Sequence, residues 1–124
     1  MKAPMKYESI MQANLERVFG ERDAARRIEA IRELYLDVAD LHEPTGSVRG
    51  HDAINRAVTE LLAQMPPDFT FTAIRPALVL NHIGRLQWRA GPPEGPAAVT
   101  GTDVVHFEDG RIRSLYVFLD QPGT

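Results

Sequence analysis

One carboxylate in this chain stands where acid/base chemistry would need it. Asp103 lies inside a β-branched and aromatic run, residues 102–107, and strand alternation puts its side chain on the same face as Val105 and Phe107. Such a carboxylate is either on the surface by accident or a polar group placed in an apolar cavity. In the second case, burial without a cation raises its pKa, which suits a group that takes up and releases protons.

Other chemistries find little support in the residues. The four histidines show no metal-ligand spacing, and neither a Gly-rich phosphate loop nor a G-x-S-x-G elbow is present. The segment 91–96 is rich in glycine and proline, but its prolines remove the amide donors that a phosphate-binding loop needs. The sequence therefore predicts neither a metal nor a cofactor.

Apolar residues recur at helical spacing in three segments. These predict helices from Tyr7 to Phe19, from Ala24 to about Val38 and from about Asp52 to Met65, with Gly20 and Pro66-Pro67 as stop signals and Asp23 as a cap. The buried stripe of the second helix is predicted to be Ile28, Ile31, Leu34, Tyr35 and Val38. Its solvent side is predicted to carry Arg26, Arg27, Glu29, Arg32 and Glu33.

After Pro67 the apolar period changes to that of strands. Strands are predicted at 69–74, 77–81, 85–90, around Asp103 and at 111–119, and the Asp109-Gly110 pair predicts a hairpin turn between the last two. Residues 40–43 form a short segment that could be extended. Helices first and a meander of strands second predict an α+β fold, with the helices packed on one face of a curved antiparallel sheet.

Length, net charge and cysteine content limit the kinds of partner and compartment that we expect. The 124 residues suit one domain, with an ordered core from about 7 to 120, and a formal net charge of -3 with interspersed basic residues predicts no nucleic-acid partner. The chain has no cysteine, which fits a reducing compartment. It also shows no signal-peptide pattern and no run of membrane-span length, so we expect a cytoplasmic protein that does not bind membranes.

The order of elements and two segments carry a family resemblance. Residues 33–54 (ELYLDVADLHEPTGSVRGHDAI) and 101–112 (GTDVVHFEDGRI) resemble the nuclear-transport-factor-2-like superfamily, and within it the SnoaL-like branch related to ketosteroid isomerase and limonene epoxide hydrolase. The resemblance spans about Tyr7 to Asp120 and implies a single SnoaL-like domain over 1–124. It implies a cystatin-like cone, in which a strongly bent antiparallel sheet and three N-terminal helices enclose a pocket. It also implies a homodimer that packs sheet on sheet.

The resemblance gives Glu43 a candidate role. The LHEP segment at 41–44 is similar to the ketosteroid isomerase segment that ends in the catalytic Asp followed by Pro, so Glu43 stands where that general base stands. Alternatively, Glu43 is a turn carboxylate that faces solvent or pairs with Arg49.

Asp103 matches the second isomerase carboxyl, which stays protonated to donate a hydrogen bond to an enolate oxygen. A single pocket Asp also serves as the acid/base of SnoaL-like cyclases. The alternative is a structural Asp bonded to a backbone amide or to the hydroxyl of Tyr35 or Tyr116.

Two catalytic schemes of the superfamily are incomplete here. The isomerase oxyanion hole needs a Tyr on the first helix, but Asn14 and Leu15 stand near that place and Tyr7 comes about two turns earlier. Because one missing donor costs about 10²–10³ in rate, steroid isomerisation is not expected. The epoxide hydrolases use an Arg two residues before a strand Asp, and that position is Gly101 here.

We therefore predict a cofactor-free acid/base catalyst of the isomerase or cyclase type, acting on a small apolar carbonyl compound, with Glu43 and Asp103 as the proton-handling pair. The alternative is a non-catalytic small-molecule-binding or dimerisation domain of the same fold. Trp88 is either a core residue or the floor of the cavity, with its indole N–H aimed at a polar ligand atom. The full set of predicted pocket residues is Trp88, Tyr35, Phe71, Phe107, Leu115 and Asn14.

Overall fold

The computed structural model describes residues 5–120, so the predicted ends of the domain lie outside the described residues. Three helical segments and seven strands make up this part of the chain. The helices are α1 (Tyr7–Ala13, continued by a π-helical segment, Asn14–Phe19), α2 (Ala24–Leu34) and α3 (His51–Ala63). The strands are β1 (Tyr35–Glu43), β2 (Gly46–Arg49), β3 (Thr70–Ala73), β4 (Leu78–Leu80), β5 (Ile83–Gly91), β6 (Val99–Glu108) and β7 (Arg111–Leu119).

The strands form one curved, unclosed sheet in the order β2-β1-β7-β6-β5-β3, with β4 paired to the other end of β5. This is the predicted α+β architecture. One pairing differs from the antiparallel prediction, because β1 and β7 run parallel. About seventy residues separate these two strands, so no hairpin turn fixes their relative direction. Across residues 5–120, no helix is long and apolar enough to cross a membrane.

The first predicted helix has the expected bounds but an altered second half. The π-helical segment is visible in the bond from the Gly20 amide to the Leu15 carbonyl, five residues back, at 2.9 Å. Its wider turn directs Asn14, Leu15, Val18 and Phe19 into the protein. Gly20 caps this helix, and a Cβ there would lie 2.6 Å from the Glu16 carbonyl oxygen, so the close approach leaves no room for a side chain.

The second predicted helix was too long. The chain leaves the helix after Leu34, and Tyr35 opens β1 opposite Ile112 of β7. Val38, predicted to be buried, is 66% exposed. Tyr35 and Asp40 both pair with β7, which keeps the irregular segment between them in the strand. Helical spacing read locally cannot reveal such a distant partner.

Arg27 was also misplaced by the helical pattern, since it is buried rather than on the solvent side. Its guanidinium donates to the Glu21 carbonyl at 2.9 Å, to Asn55 Oδ1 at 2.9 Å and to Thr59 Oγ1 at 2.6 Å. Burial lowers the pKa of Arg27, and the charges of Glu21 and Asp23 partly oppose this effect. Arg27 therefore ties α2 to α3 through several hydrogen bonds.

The β6–β7 hairpin was predicted correctly. Asp109 and Gly110 both have positive φ, 52° and 79°, as its two-residue turn requires. A bulge follows, because His106 faces Ser114 while Phe107 faces Ile112. The extra residue keeps Ile112 on the buried side of the sheet.

The sheet has two faces with different surroundings. The inner face carries Leu86, Trp88, Gly101, Asp103 and Val105, all buried against the helices. The outer face carries Asp40, His42, Val104, Tyr116 and Phe118, and none of these is fully buried. Residues that alternate along one strand therefore enter opposite environments.

Candidate functional site

A cavity of about 160 Å³ lies between the inner face and the helices. Helical and loop residues form one wall and strand residues form the other. Most of the lining is apolar, and two carboxylates are the charged groups in it. The lining consists of Leu15, Phe19, Glu43, Pro44, Thr45, Leu61, Met65, Phe71, Trp88, Val99, Asp103, Val117 and Leu119.

Asp103 is placed in the cavity wall by the middle of β6. Its side chain is 4% exposed, and its neighbours on the adjacent strands are Leu86 and Val117. Trp88 Nε1 donates a hydrogen bond to Asp103 Oδ1 at 2.9 Å. Burial raises the pKa of Asp103 to about 7, and the bond from Trp88 opposes that rise only in part. The carboxyl group is therefore poised between its acid and its base form near neutral pH.

Glu43 borders the same cavity from the end of β1. It is half-buried, and the turn at Pro44 and Thr45 follows it directly. Burial and the charge of Glu60 raise the pKa of Glu43. The structure thus brings both predicted carboxylates to one cavity, with Asp103 inside it and Glu43 beside the turn.

A second, more polar recess of about 440 Å³ adjoins this turn. Glu43, Thr45 and Leu61 line both spaces, so the recess and the cavity share part of a wall. Glu60 and Gln64 of the α3 region contribute polar atoms to it. Glu60 was not singled out from the sequence, since a glutamate on the polar side of a helix is usually solvated.

Trp88 and Phe71 line the cavity, and the two rings contact each other with centroids 5.6 Å apart. Phe19 extends this aromatic group, 6.2 Å from Phe71. The sequence left two places open for Trp88, the core or the cavity floor. The indole is both buried and part of the lining, but its N–H is directed at Asp103 rather than at the open space.

Tyr35 and Asn14 lie in the packed core behind the lining. The Tyr35 hydroxyl donates to Asn14 Oδ1 at 2.5 Å, and both residues are at most 1% exposed. Burial, and then the charges of Asp103 and Glu43, raise the pKa of Tyr35 well above its ordinary value, while the bond to Asn14 opposes the rise. Tyr35 therefore stays protonated and fixes α1 to the start of β1.

Phe107 and Leu115 are core residues at the other end of the inner face. Phe107 stacks on Tyr7 of α1 with ring centroids 4.0 Å apart, and Leu115 pairs with Val105. Strand alternation put Phe107 on the same face as Asp103, which is where it lies. Four residues along a strand span roughly 13 Å, however, so Phe107 meets the start of α1 rather than the residues that line the cavity.

Sequence reasoning missed several lining residues. Leu61 and Met65 lie toward the C-terminal end of the third predicted helix, and the structure places both in the cavity lining. Val99, Val117 and Leu119 complete the wall from the strands. Their strand parity was the available signal, yet parity does not tell which part of a face is covered by a helix.

The histidine nearest to Glu43 in sequence is on the opposite face. The His42 ring stacks on Tyr116 with centroids 4.4 Å apart, and its Nδ1 lies 2.7 Å from Ser47 Oγ. Its Nε2 lies 3.2 Å from Asp40 Oδ1. Over the part of the chain described, no three His, Asp or Glu side chains converge as metal ligands would.

Solved structures with this fold are numerous. A proposed isomerase of the SnoaL-like family from Agrobacterium tumefaciens is 26% identical, with a TM-score of 0.81 over 91% of this chain and 96% of that one. An NTF2-like protein of unknown function from Cytophaga hutchinsonii matches at 13% identity and a TM-score of 0.70, over 97% and 95% of the two chains. A proposed polyketide cyclase from Sinorhizobium meliloti matches at 16% identity and a TM-score of 0.68, over 88% and 93%.

The last two similarities are too distant in sequence to show more than the fold. No curated protein matches the chain significantly. The SnoaL-like domain family, in contrast, matches residues 15–115, which include both carboxylates of the cavity. The chain therefore belongs to the SnoaL-like domain family.

Proposed function

We propose that this protein is a cofactor-independent acid/base catalyst that moves a proton next to a carbonyl group, as an isomerase or a cyclase does. The observation that carries the proposal is Asp103: a carboxyl group with a pKa of about 7 in the wall of an apolar cavity. A general acid or base is most effective when its pKa lies near the working pH. The proposed isomerase from Agrobacterium tumefaciens, similar over most of both chains, agrees with this class of reaction.

The size of the cavity limits the substrate. An apolar cavity of about 150 Å³ accepts benzene, so the space of about 160 Å³ here suits one ring or a short branched chain. A four-ring steroid is far larger. We therefore propose a small, largely apolar carbonyl compound whose reacting carbon lies beside Asp103.

Glu43 completes the proposed proton-handling pair. Because burial and Glu60 raise its pKa, Glu43 holds a proton at a higher pH than an exposed glutamate does. In the proposed reaction the carboxylate of Asp103 removes the proton from the carbon next to the carbonyl, and Glu43, which borders the same cavity, is the second group that takes up and releases a proton. The return of the proton from Asp103 to another carbon completes the isomerisation.

The direct test is solvent exchange, which needs no knowledge of the natural product. Small cyclic ketones such as cyclohexanone and 2-cyclohexen-1-one are incubated with the protein in D₂O, and deuterium at the α-carbon is followed by NMR. We expect enzyme-dependent exchange that is lost in Asp103→Asn. Binding of such ketones without exchange, unchanged in the variant, would make the protein a non-catalytic binder and overturn the proposal.

We also propose that a second copy of the chain covers the outer face of the sheet. Tyr116 and Phe118 are 40% and 57% exposed there, and an aromatic surface of this kind is typical of an interface. Light scattering on a sizing column should give twice the chain mass. Phe118→Glu should give the monomer mass, whereas a wild-type monomer would contradict the proposed dimer.

A further inference from the structure

Trp88 and Asp103 are diagonal neighbours on adjacent strands of the inner face. Trp88 of β5 is opposite Gly101 of β6, and Asp103 is opposite Leu86. Diagonal positions are within reach of a long aromatic side chain. The indole uses this reach to donate from Nε1 to Asp103 Oδ1 at 2.9 Å. Within residues 5–120, the side chain of Asp103 makes this one hydrogen bond, through Oδ1, and its Oδ2 has no hydrogen-bond partner.

Gly101 is what allows the indole to take this position. A Cβ built on Gly101 would lie 2.5 Å from Trp88 Cζ2 and 2.6 Å from the Phe118 carbonyl oxygen. Any side chain here would therefore push the indole off the strand. Phe71 packs against the ring from β3, so the indole has a fixed orientation between a bare backbone and a second aromatic ring.

We propose that Trp88, seated on Gly101, is the positioning residue of Asp103: its N–H holds Oδ1, so that Oδ2 is the oxygen that faces the cavity and exchanges the proton. The proton exchange at Oδ2 rests on the proposed function, whereas the orientation of the carboxyl group by Trp88 does not depend on it.

The chemistry of the donor matters as much as its position. An indole N–H is neutral, so it orients the carboxyl group without the charge that an Arg or Lys would bring. A cation at this distance would hold Asp103 as a permanent carboxylate. The neutral donor opposes only part of the effect of burial, which leaves both protonation states of Asp103 accessible near neutral pH. Trp88 thus preserves a group that can act as base and as acid in one turnover.

The test uses the fact that the chain contains a single tryptophan. Growth of a tryptophan auxotroph on β-(3-benzothienyl)alanine replaces Trp88 alone with a ring of nearly the same shape that lacks the N–H. The titration of Asp103 is then followed by ¹³C NMR of aspartate carboxyl groups, with its resonance identified by loss in Asp103→Asn. Asp40, on the outer face, is the internal control in the same spectra.

We expect the titration midpoint of Asp103 to rise by roughly 1–2 pH units, since a hydrogen bond to a charged group is lost, while that of Asp40 stays. Gly101→Ala and Trp88→Phe should shift it in the same direction, and the isosteric replacement keeps the test valid if either variant fails to fold. An unchanged midpoint in the benzothienyl protein would overturn the inference. Because the titration is measured without substrate, a shifted midpoint in a protein that exchanges no α-protons would refute the proposed function alone.

Discussion

Two aspartates on the same sheet show how one residue type acquires opposite properties. Asp103 is on the inner face, where it accepts a hydrogen bond from the neutral indole of Trp88, and burial raises its pKa to about 7. Asp40 is on the outer face. Burial also disfavours its charged form, but a hydrogen bond from Ser114 and the neighbouring His42 and Arg49 outweigh that effect, so the pKa of Asp40 is lowered. Burial by itself therefore does not make an acid/base group, because the number and charge of the partners decide.

The same comparison explains why the outer face, despite its chemistry-bearing residues, is a weaker candidate for catalysis. His42 contacts both Asp40 and Ser47, but its side chain is 33% exposed, and the space that Ser47 lines is the polar recess rather than the apolar cavity. A carboxylate with a lowered pKa is a poor base at neutral pH. The inner face combines an apolar cavity with a carboxyl group whose pKa is raised, whereas the pKa of Asp40 on the outer face is lowered.

The largest expected effect is a difference in α-proton exchange rate between variants of the two aspartates. Asp103→Asn should reduce α-proton exchange by about 10²–10⁴-fold, the usual contribution of a general acid/base. Asp40→Asn should change the rate by less than about threefold, since surface ion pairs contribute little. The measurement is the initial exchange rate of a bound ketone at pH 7. Equal losses in the two variants would mean that the inner carboxylate has no special role.

The second prediction concerns the free energy of unfolding, whose dependence on pH has opposite signs for the two aspartates. The folded pKa of Asp103, about 7, exceeds its ordinary value of 3.8, so between these pH values the folded state holds a proton that the unfolded state has lost. Its contribution is fully present below about pH 4, and the free energy of unfolding then falls by up to ~1.4 kcal/mol per pH unit as the pH rises toward 7. Asp103→Asn should remove this slope in urea titrations at pH 4, 5.5 and 7.

Asp40 has a lowered folded pKa, so its stabilisation is present above its ordinary value of 3.8 and is lost as the pH falls below it. Asp40→Asn should therefore lower stability at pH 7 and flatten the acid limb below pH 4. If Asp40→Asn instead removed the slope between pH 4 and 7, the contrast between the faces would be wrong.

A matched pair of substitutions compares how a larger side chain on each face affects ligand binding. Val117 of β7 lines the cavity opposite Asp103. Val104 follows Asp103 in β6 and is on the outer face. Val117→Phe should weaken binding of cyclohexanone by about tenfold or more, since overfilling a packed site costs about 1–3 kcal/mol. Val104→Phe should leave it nearly unchanged. Calorimetric titration of both variants gives the affinities, and equal affinities would place the ligand outside the cavity.

The smallest expected effect concerns Glu43, beside the turn that borders the cavity. Glu60→Gln removes a negative charge near Glu43 and should lower the pKa of Glu43 only slightly, because burial is the larger cause of its rise and solvent screens half-exposed charges. The midpoint of Asp103 should not move, since Glu60 is not among the causes of its raised pKa. ¹³C NMR titration of glutamate carboxyl groups measures the shift. A rise in the pKa of Glu43 would contradict the assignment.

Local patterns in the sequence determined the bounds of the first helix, the Asp109-Gly110 hairpin and the face on which Asp103 lies, because caps, turns and strand alternation are properties of neighbouring residues. Tertiary structure alone decided the rest. The parallel partner of β1 lies some seventy residues away, so Tyr35 and Val38 left the predicted helix for a strand. The indole of Trp88 reached Asp103 because the strand register placed it over Gly101. Contacts between distant segments set burial and hydrogen-bond partners, and these two quantities set the pKa on which the proposed chemistry depends.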